Sequence, residues 1–480
     1  MDLSGQKLLV VGLGQSGLAV AKFASARRAI VTANDARPES EIGGEMNQLR
    51  EAGISVVAGG HPENLFTESD LIVMSPGVPL NISPVQAARS QGKKIVGEAE
   101  FASWFLKGRV IGITGSNGKT TTTSLTGELM RAAGQRVLVG GNIGMPLTSL
   151  VEESTDSTWT VAELSSFQLE AIESLRVNVA VITNVTPDHL DRHASFEDYC
   201  LAKQNIFLNQ TANDWAVLNG DDPVVVDMAE RNPGRFGAGR SPSRSRRIYF
   251  SSSGRPVAGA ASIYLKDSAI IGRFGSPDDR EPEIEIIRTA EIPLVGLHNV
   301  ENVMASVGAT LWAAGPESVD LNAIRNAVRQ FKGVEHRIEF VAEISGVKFY
   351  NDSKATNVDS TLKALEAFSG NIILILGGKD KGSDYTKLAA LVAERVKLMV
   401  LIGAAADKIA AQLAGVAPIV RAGSMADALE KSAKASLPGD IVLLAPACAS
   451  FDMFSNYEHR GRVFKETVMG MASTAGALKV

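Results

Sequence analysis

Cysteine is nearly absent. Only Cys200 and Cys448 occur among 480 residues, too few for a disulfide framework or a zinc cluster, as in proteins of a reducing compartment. Excess charge of one sign is missing too. The formal net charge is −5, which gives no reason to expect nucleic acid or an anionic membrane as partner. No apolar run is long enough to span a bilayer. The N-terminal stretch KLLVVGLGQSGLAV has the apolar character of a signal peptide, but its glycines and the early Asp2 read as strand, turn and helix. These absences point to a cytoplasmic protein, a monomer by expectation, whose partners are small molecules. An apolar share of 45% is ordinary for a globular chain, and 480 residues exceed what one core holds, so two or three domains are expected.

Polar alternation is also scarce. Short apolar, β-branched runs alternate with helical stretches: KLLVVGL, LIVMSPG, RVIGITG, RVLVGG, WTVAELS, NVAVITN, NIILILGG, LMVLIG and DIVLLAP. Runs of this kind suit parallel strands covered on both faces by helices, hence an α/β fold. Three groups emerge: one ending near the helix GEAEFASWFL, one carrying a glycine loop, and one beginning after VEHRIEF near residue 334. The arginine-rich, turn-rich stretch between Pro233 and Glu283 reads as a solvated excursion rather than an anion site.

One glycine is missing where a phosphate-binding loop normally carries it. In GITGSNGKTTTTSL, residues 112–125, Ile113 stands five positions before the Gly118–Lys119 pair. The loop nevertheless joins a strand-like RVIGIT to a helix-like KTTTTSLTGELMRAAG, with Leu125, Leu129 and Met130 on the inward face and Gly134 as the stop. Main-chain N–H groups at a helix N-terminus, backed by the helix dipole, form an anion site. Gly115, Ser116, Asn117 and Gly118 make the turn. Lys119 can reach the β and γ phosphates, and Thr120, followed by Thr121, offers a hydroxyl to Mg²⁺. Nucleoside triphosphate binding is the expectation; a tight turn with a surface lysine is the competing reading.

In an open parallel sheet, ligands bind outside the carboxyl ends of the strands. Those ends carry GGNIG, AELSSFQLE and TNVTPDHLDRH. Glu163 and His189 emerge there and could bind Mg²⁺ beside Thr120. Taken singly, the first would be a strand-end ion pair and the second a satisfied loop histidine. Asp188 and Asp191 stay open between that site and helix capping.

The first group has its own glycine turn. Gly12, Gly14 and Gly17 in VVGLGQSGLAV, with Asp35 closing AIVTAND, follow the dinucleotide-binding layout. Alone this would favour an NAD-dependent dehydrogenase. The same geometry holds any nucleoside diphosphate, and a redox enzyme has no need of a triphosphate loop as well. Two nucleotide sites suggest ATP driving chemistry on a nucleotide-tagged substrate.

In order along the chain, TGSNGKTT, GGNIG, ELSSFQL, NVTPDHLDRH, GLHNVEN, HRIEF, NDSKATN, GGKDKG and PACASFD resemble the Mur ligases of peptidoglycan synthesis, from about residue 10 to residue 462. The glycine loop is shared by all sibling ligases and by folylpolyglutamate synthases. NDSKATN with PACASFD is more particular to the branch that adds D-glutamate, and the DNPR motif of the diamino-acid-adding sibling is absent. The resemblance implies three domains: a Rossmann-like UDP-substrate domain over 1–97, a central P-loop-type ATPase domain with a mostly parallel sheet over 98–333, and a Rossmann-like amino-acid domain over 334–480. It implies that ATP phosphorylates the alanyl carboxylate of UDP-N-acetylmuramoyl-L-alanine and that the amine of D-glutamate displaces phosphate. The third domain would close when ligands bind. Alternatives are another amino-acid ligase of the Mur and folylpolyglutamate group, although the latter lacks a first domain of this length, and the dehydrogenase.

The resemblance also implies residue roles. Lys119 would stabilise the transferred phosphoryl group, while Thr120, Glu163, His189 and Lys203 would hold Mg²⁺, two ions in all. Lys203 would do so as a carbamate, although its sequence setting is that of an ordinary lysine on an amphipathic helix. Asn299, Asn302, Arg337 and Asp352 would bind ATP; their plainer readings are helix capping and a surface ion pair. The UDP end would sit on Gly14, Gln15, Ser16, Asp35, Arg37, Ser75, Pro76 and Gly77, with Asp35 accepting from uracil or ribose. Asn142, Ser165 and Gln168 would face the reacting arm. D-glutamate would meet His189, Lys354, Thr356, Lys381, Ser450 and Phe451, with Tyr457 at the pocket edge. Cys448 reads as a small buried side chain, and His298 as a structural or nucleotide-contacting residue rather than a base.

Overall fold

The structure is a computed structural model that describes residues 1–42, 45–189, 192–230, 245–254, 260–274 and 283–475. The chain forms two compact units, Met1–Ile292 with Val300–Gln330, and Pro293–Asn299 with Phe331–Val480.

The first unit holds two sheets. Strands β1 (Lys7–Val11), β2 (Ile30–Asp35), β3 (Ser55–Ala58), β4 (Leu71–Met74) and β5 (Lys94–Gly97) lie in the order β3-β2-β1-β4-β5, and every neighbouring pair is parallel. Both faces of this sheet are covered. Leu8, Val10, Val31 and Ala33 join one core cluster, whereas Leu9, Val11, Ile72 and Met74 pack with Phe66 in another. That is why LLVV and LIVM show no polar alternation.

The second sheet comprises β6 (Arg109–Thr114), β7 (Arg136–Gly141), β8 (Thr158–Glu163), β9 (Val179–Ile182), β10 (Trp215–Asn219), β11 (Arg246–Ser251), β12 (Ala261–Lys266), β13 (Ala269–Arg273) and β14 (Ile284–Arg288), in the order β14-β13-β12-β11-β10-β9-β6-β8-β7. Pairing is parallel from β7 through β12 and antiparallel for the last two pairs. This corrects the excursion expected between Pro233 and Glu283. Its described parts supply three strands, with Ile248, Phe250, Ile263, Tyr264 and Ile270 buried; positions 233–244, 255–259 and 275–282 lie outside the described residues. The arginines hid the strand because they cover aromatic surface: Arg246 lies 4.0 Å over the Trp215 ring.

The helix Lys119–Ala132 leaves the end of β6. Its four consecutive threonines are weak helix formers, yet Thr120, Thr121, Thr122 and Thr123 are all buried, so packing overrides propensity. Leu125, Leu129 and Met130 face the core as expected. Gly134 ends the helix in a left-handed conformation, its N–H donating to the Arg131 carbonyl at 2.9 Å.

The second unit carries β15 (Glu339–Ile344), β16 (Val347–Asn351), β17 (Ile372–Gly377), β18 (Val396–Ile402), β19 (Ile419–Arg421) and β20 (Ile441–Leu444) in the order β15-β16-β20-β17-β18-β19. Only the β15–β16 hairpin is antiparallel. Core clusters again cover both faces, one led by Leu374, Leu376 and Leu443 and the other by Ile373, Ile375 and Phe464. Among the described residues no helix is long and apolar enough to cross a membrane.

Candidate functional site

Strand β6 delivers the chain into the glycine loop, and the next strand end fastens it. Thr183, just past β9, donates its hydroxyl to the Asn117 carbonyl at 2.6 Å, and Asn184 Oδ1 accepts the Asn117 N–H at 2.9 Å. Ser116 Oγ donates to the Thr186 carbonyl at 2.8 Å and lies 3.0 Å from the Tyr199 hydroxyl. Gly118 caps the helix at φ +83°, and a Cβ there would stand 2.3 Å from Asn302 Oδ1. Only glycine fits. Asn302, buried in the helix Leu297–Ala314, therefore presses on the loop rather than capping its own helix, and it accepts the Thr122 hydroxyl at 3.2 Å.

Two lysines converge on this loop. Lys119 Nζ donates to the carbonyls of Gly115 at 2.9 Å and Ser116 at 2.8 Å. Lys203 Nζ donates to the same Gly115 carbonyl at 2.8 Å. Lys203 is 1% exposed, so it is no ordinary surface lysine. It reaches the core from the helix Phe196–Gln204, which Ser195 caps, and its Nζ lies 4.5 Å over the Tyr199 ring. Burial first and Lys119 second push its pKa well below the usual lysine value, favouring the neutral amine.

Glu163 ends β8 and is buried. Its Oε1 accepts from Asn142 Nδ2 at 2.8 Å, but among the described residues the buried Oε2 has no hydrogen-bond partner. An unsatisfied buried carboxylate oxygen is costly unless a cation meets it. Among the described residues no three His, Cys, Asp or Glu side chains converge to hold a metal, so a metal here would need hydroxyl, water or modified-lysine ligands. His189 is exposed at φ +53°, its ring 5.0 Å from Phe167. Asp188 accepts the His189 N–H at 2.9 Å; Asp191 lies outside the described residues. Ser165 and Gln168 close a capping box on the helix Ser166–Glu170, and Gln168 is buried.

Sequence reasoning missed His193 and Tyr199. His193 is buried, 2.9 Å from Ser166 Oγ, stacked on Phe167 at 5.4 Å and edge-on to Tyr199. The two rings link the loop after β9 to Ser116. The signal was the second histidine of HLDRH, overshadowed by His189.

Beyond the carboxyl end of β1, the central strand of the first sheet, the helix Gln15–Ala26 starts at Gly14. A Cβ on Gly17 would lie 1.9 Å from the Gly12 carbonyl, so that glycine serves helix–strand packing, while space beside Gly14 is open. Gln15 and Ser16 form the first turn, and Gly77 is exposed beside part-buried Pro76. Ser75 Oγ donates to the Gly12 carbonyl at 2.6 Å, tying the two loops. Asp35 is fully engaged. Oδ1 accepts from Arg37 N at 2.9 Å and Nε at 3.0 Å, and Oδ2 from Leu13 N at 2.7 Å and Arg37 Nη2 at 2.8 Å. Burial opposes ionisation there, but these donors outweigh it and bring the pKa down to about 2. Asp35 thus shapes the turn and orients Arg37; its oxygens are not the open acceptors the sequence suggested. Arg192 Nη2 reaches the Val78 carbonyl at 3.0 Å from the loop that carries His189.

In the second unit Asp352 is buried and accepts the Ile338 N–H at 3.2 Å, which rules out a surface ion pair. Burial raises its pKa to about 7, against Arg337. Among the described residues the buried Arg337 Nε has no hydrogen-bond partner. Asn299 donates to the Val295 carbonyl at 2.7 Å, and burial takes nearby His298 down to about 4. Lys354 lies 5.7 Å over the Tyr457 ring, with the Thr356 N–H on the Lys354 carbonyl. Ser450 is buried, whereas Lys381 and Phe451 are exposed. Cys448 is buried as expected, its thiol pushed up to about 11 by burial. Arg460, which no motif flagged, is fully buried. It donates from Nε to Ser353 Oγ at 2.9 Å, from Nη2 to the Ser353 carbonyl at 2.8 Å and from Nη1 to the Cys448 carbonyl at 3.1 Å.

Comparison with known proteins gives three family matches: the Mur ligase MurD-like N-terminal domain over residues 6–97, the Mur ligase middle domain over 113–310 and the Mur ligase glutamate ligase domain over 336–448. The chain is 51% identical to UDP-N-acetylmuramoylalanine–D-glutamate ligase of Acidobacterium capsulatum, covering 99% of this chain and 98% of that one. It is 48% identical to the ligase of the same name from Koribacter versatilis, covering 98% and 99%. Among solved structures, UDP-N-acetylmuramate-alanine ligase MurC of Thermotoga maritima aligns with TM-score 0.58 at 18% identity over 97% of this chain and all of that one. MurF of Acinetobacter baumannii aligns with TM-score 0.56 at 18% identity, covering 97% and 91%. The structural matches carry the fold alone.

Proposed function

The chain belongs to the Mur ligase family, and from that premise we propose that it is an ATP-dependent amide ligase joining D-glutamate to UDP-N-acetylmuramoyl-L-alanine, with release of ADP and phosphate, in cytoplasmic peptidoglycan precursor synthesis. The observation that carries this reading is the pair of glycine turns at the carboxyl ends of interior strands in two separate sheets, one starting at Gly14 and one capped by Gly118, in a chain about half identical to ligases of that name.

A carboxylate is a poor electrophile, so the γ-phosphoryl group of ATP first passes to the alanyl carboxylate oxygen. The resulting acyl phosphate is attacked by the D-glutamate amine, and phosphate leaves with that oxygen. Nothing here needs a protein nucleophile; positioning and charge neutralisation suffice. Gly115, Ser116, Asn117, Gly118, Thr120 and Thr121 cradle the phosphates, and Lys119 swings from its own loop carbonyls to the transferred group. Asn142 and Ser165 orient the reacting arm, and Gln168 supports Ser165 through the capping box. Thr120, Glu163, His189 and Lys203 would hold Mg²⁺, which supplies further charge neutralisation; the unpartnered Glu163 Oε2 fits such a ligand. The buried Lys203 amine, disfavoured as a cation, fits conversion to a carbamate.

We assign residues 1–97 to the UDP end, 98–333 to phosphoryl transfer and 334–480 to the amino acid. Gly14, Gln15, Ser16, Arg37 and Ser75–Gly77 would meet the UDP group, with Asp35 as the residue that fixes Arg37. Asn299, Asn302, Arg337 and Asp352 would serve the nucleotide of ATP. Lys354, Thr356, Lys381, Ser450, Phe451 and Tyr457 would recognise the D-glutamate carboxylates.

The test is phosphate release from ATP with UDP-N-acetylmuramoyl-L-alanine and each amino acid in turn. Release with D-glutamate alone is the expected result; release with a diamino acid, L-alanine or L-glutamate instead would move the chain to another branch of the family.

A further inference from the structure

We propose that His61 reads the base of the substrate, its Nε2 accepting the N3–H that uracil carries and cytosine lacks. This rests on the reading of the first sheet's carboxyl end as a uridine diphosphate cradle, and it answers a question that cradle raises. Some acceptor must recognise the imide N–H, yet the expected one, Asp35, already takes two donors on each oxygen.

The neighbouring carbonyls already hold at least one donor each. The Asn34 carbonyl accepts from Gly12 N, the Asp35 and Arg37 carbonyls both accept from Gly59 N, and the Gly12 carbonyl accepts from Ser75 Oγ. Those Gly59 bonds, at 3.1 and 2.9 Å, hold the turn after β3 against the end of β2, and His61 stands in that turn.

The tautomer of His61 follows from its partner. Asn34 is fully buried, and its Nδ2 donates to the carbonyls of Val57 at 3.0 Å and Gly60 at 2.8 Å. The amide orientation is therefore fixed, and Oδ1 is an acceptor. His61 Nδ1 sits 2.6 Å from that oxygen, so Nδ1 carries the proton. In the neutral ring Nε2 is then a lone-pair acceptor, and among the described residues it has no hydrogen-bond partner. The ring is part-buried, held edge-on to Phe66 at 6.1 Å. Burial holds the imidazole below its usual pKa against the pull of Asp35, keeping the acceptor form at neutral pH. An acceptor fixed through a buried asparagine favours uracil, whose N3 donates, over cytosine, whose N3 accepts and would leave both lone pairs opposed.

The experiment is calorimetric titration of the full chain, as wild type, His61→Ala and His61→Gln, with UDP and with CDP. The wild type should prefer UDP by about tenfold. His61→Ala should lose that preference through weaker UDP binding alone, and His61→Gln, whose amide oxygen can accept, should keep most of it. A His61→Ala chain with the wild-type ratio overturns the inference while leaving the cradle intact. Wild type that binds neither nucleotide overturns the cradle reading and the inference with it. A measurement free of any variant is the N3 proton of ¹⁵N-labelled UDP bound to wild type. It should be protected from solvent exchange; exchange as fast as in free UDP overturns the inference.

Discussion

A lysine amine inside a protein is disfavoured as a cation, and a second lysine donating to the same carbonyl makes it worse. Lys203 and Lys119 both donate to the Gly115 carbonyl, with Glu163 among the charges acting on Lys203. A carbamate on Lys203 would turn that repulsion into an anionic ligand beside the phosphate loop. Lys203→Ala should therefore lower kcat roughly a hundredfold or more, with partial recovery on adding a small carboxylic acid; normal activity in the variant would contradict the assignment. Asp352 gives a prediction of opposite character. Its carboxyl titrates from 3.8 in the open chain to about 7 in the fold, so the native state holds the proton longer. Stability from this group is intact below about 4, declines as pH rises toward 7 and stays lowered above it. Asp352→Asn should raise the thermal midpoint at pH 8, change it little at pH 4, and abolish ligation; an unchanged or lower midpoint at pH 8 would contradict this. Placement was legible wherever a motif carried it: Lys119 opens the helix after the glycine turn, and Glu163 ends its strand. Burial was not: nothing in EDYCLAKQNIF separates Lys203 from a solvated lysine, and nothing in TAND shows that Arg37 occupies Asp35.

At the scale of elements, apolar runs told most. Each of the nine runs picked out for the pattern became a strand, and all but the part-buried edge strand Arg136–Gly141 are largely buried, as parallel strands covered on both faces need uninterrupted Val, Ile and Leu. The strands between Pro233 and Glu283 were missed where arginines and serines interrupt the pattern and the sheet turns from parallel to antiparallel. Long-range staples were also invisible. Arg460, in the helix Tyr457–Ala475, ties the Ser353 turn to the Cys448 turn through backbone carbonyls, with no motif to announce it. Those turns carry Lys354, Thr356 and Ser450. Arg460→Met leaves buried carbonyls without donors and should cost about 3 kcal/mol of stability. It should also raise KM for D-glutamate while sparing KM for the UDP-substrate. A wild-type melting profile with unchanged kinetics would show that the staple is dispensable.

For the whole molecule, the claim is that one chain brings a nucleotide-tagged acid to a second nucleotide that activates it. The first unit carries both glycine turns, each at the carboxyl ends of the parallel strands of its sheet, ahead of the helices that follow Gly14 and Gly118. The turns around Lys354 and Ser450, proposed to recognise the amino acid, belong to the second unit. Oxygen transfer tests the chemistry most directly. With UDP-N-acetylmuramoyl-L-alanine labelled with ¹⁸O in its alanyl carboxylate, ATP and D-glutamate, turnover through an acyl phosphate must place one ¹⁸O in the released phosphate for each amide formed. Amide formation with unlabelled phosphate would contradict the account.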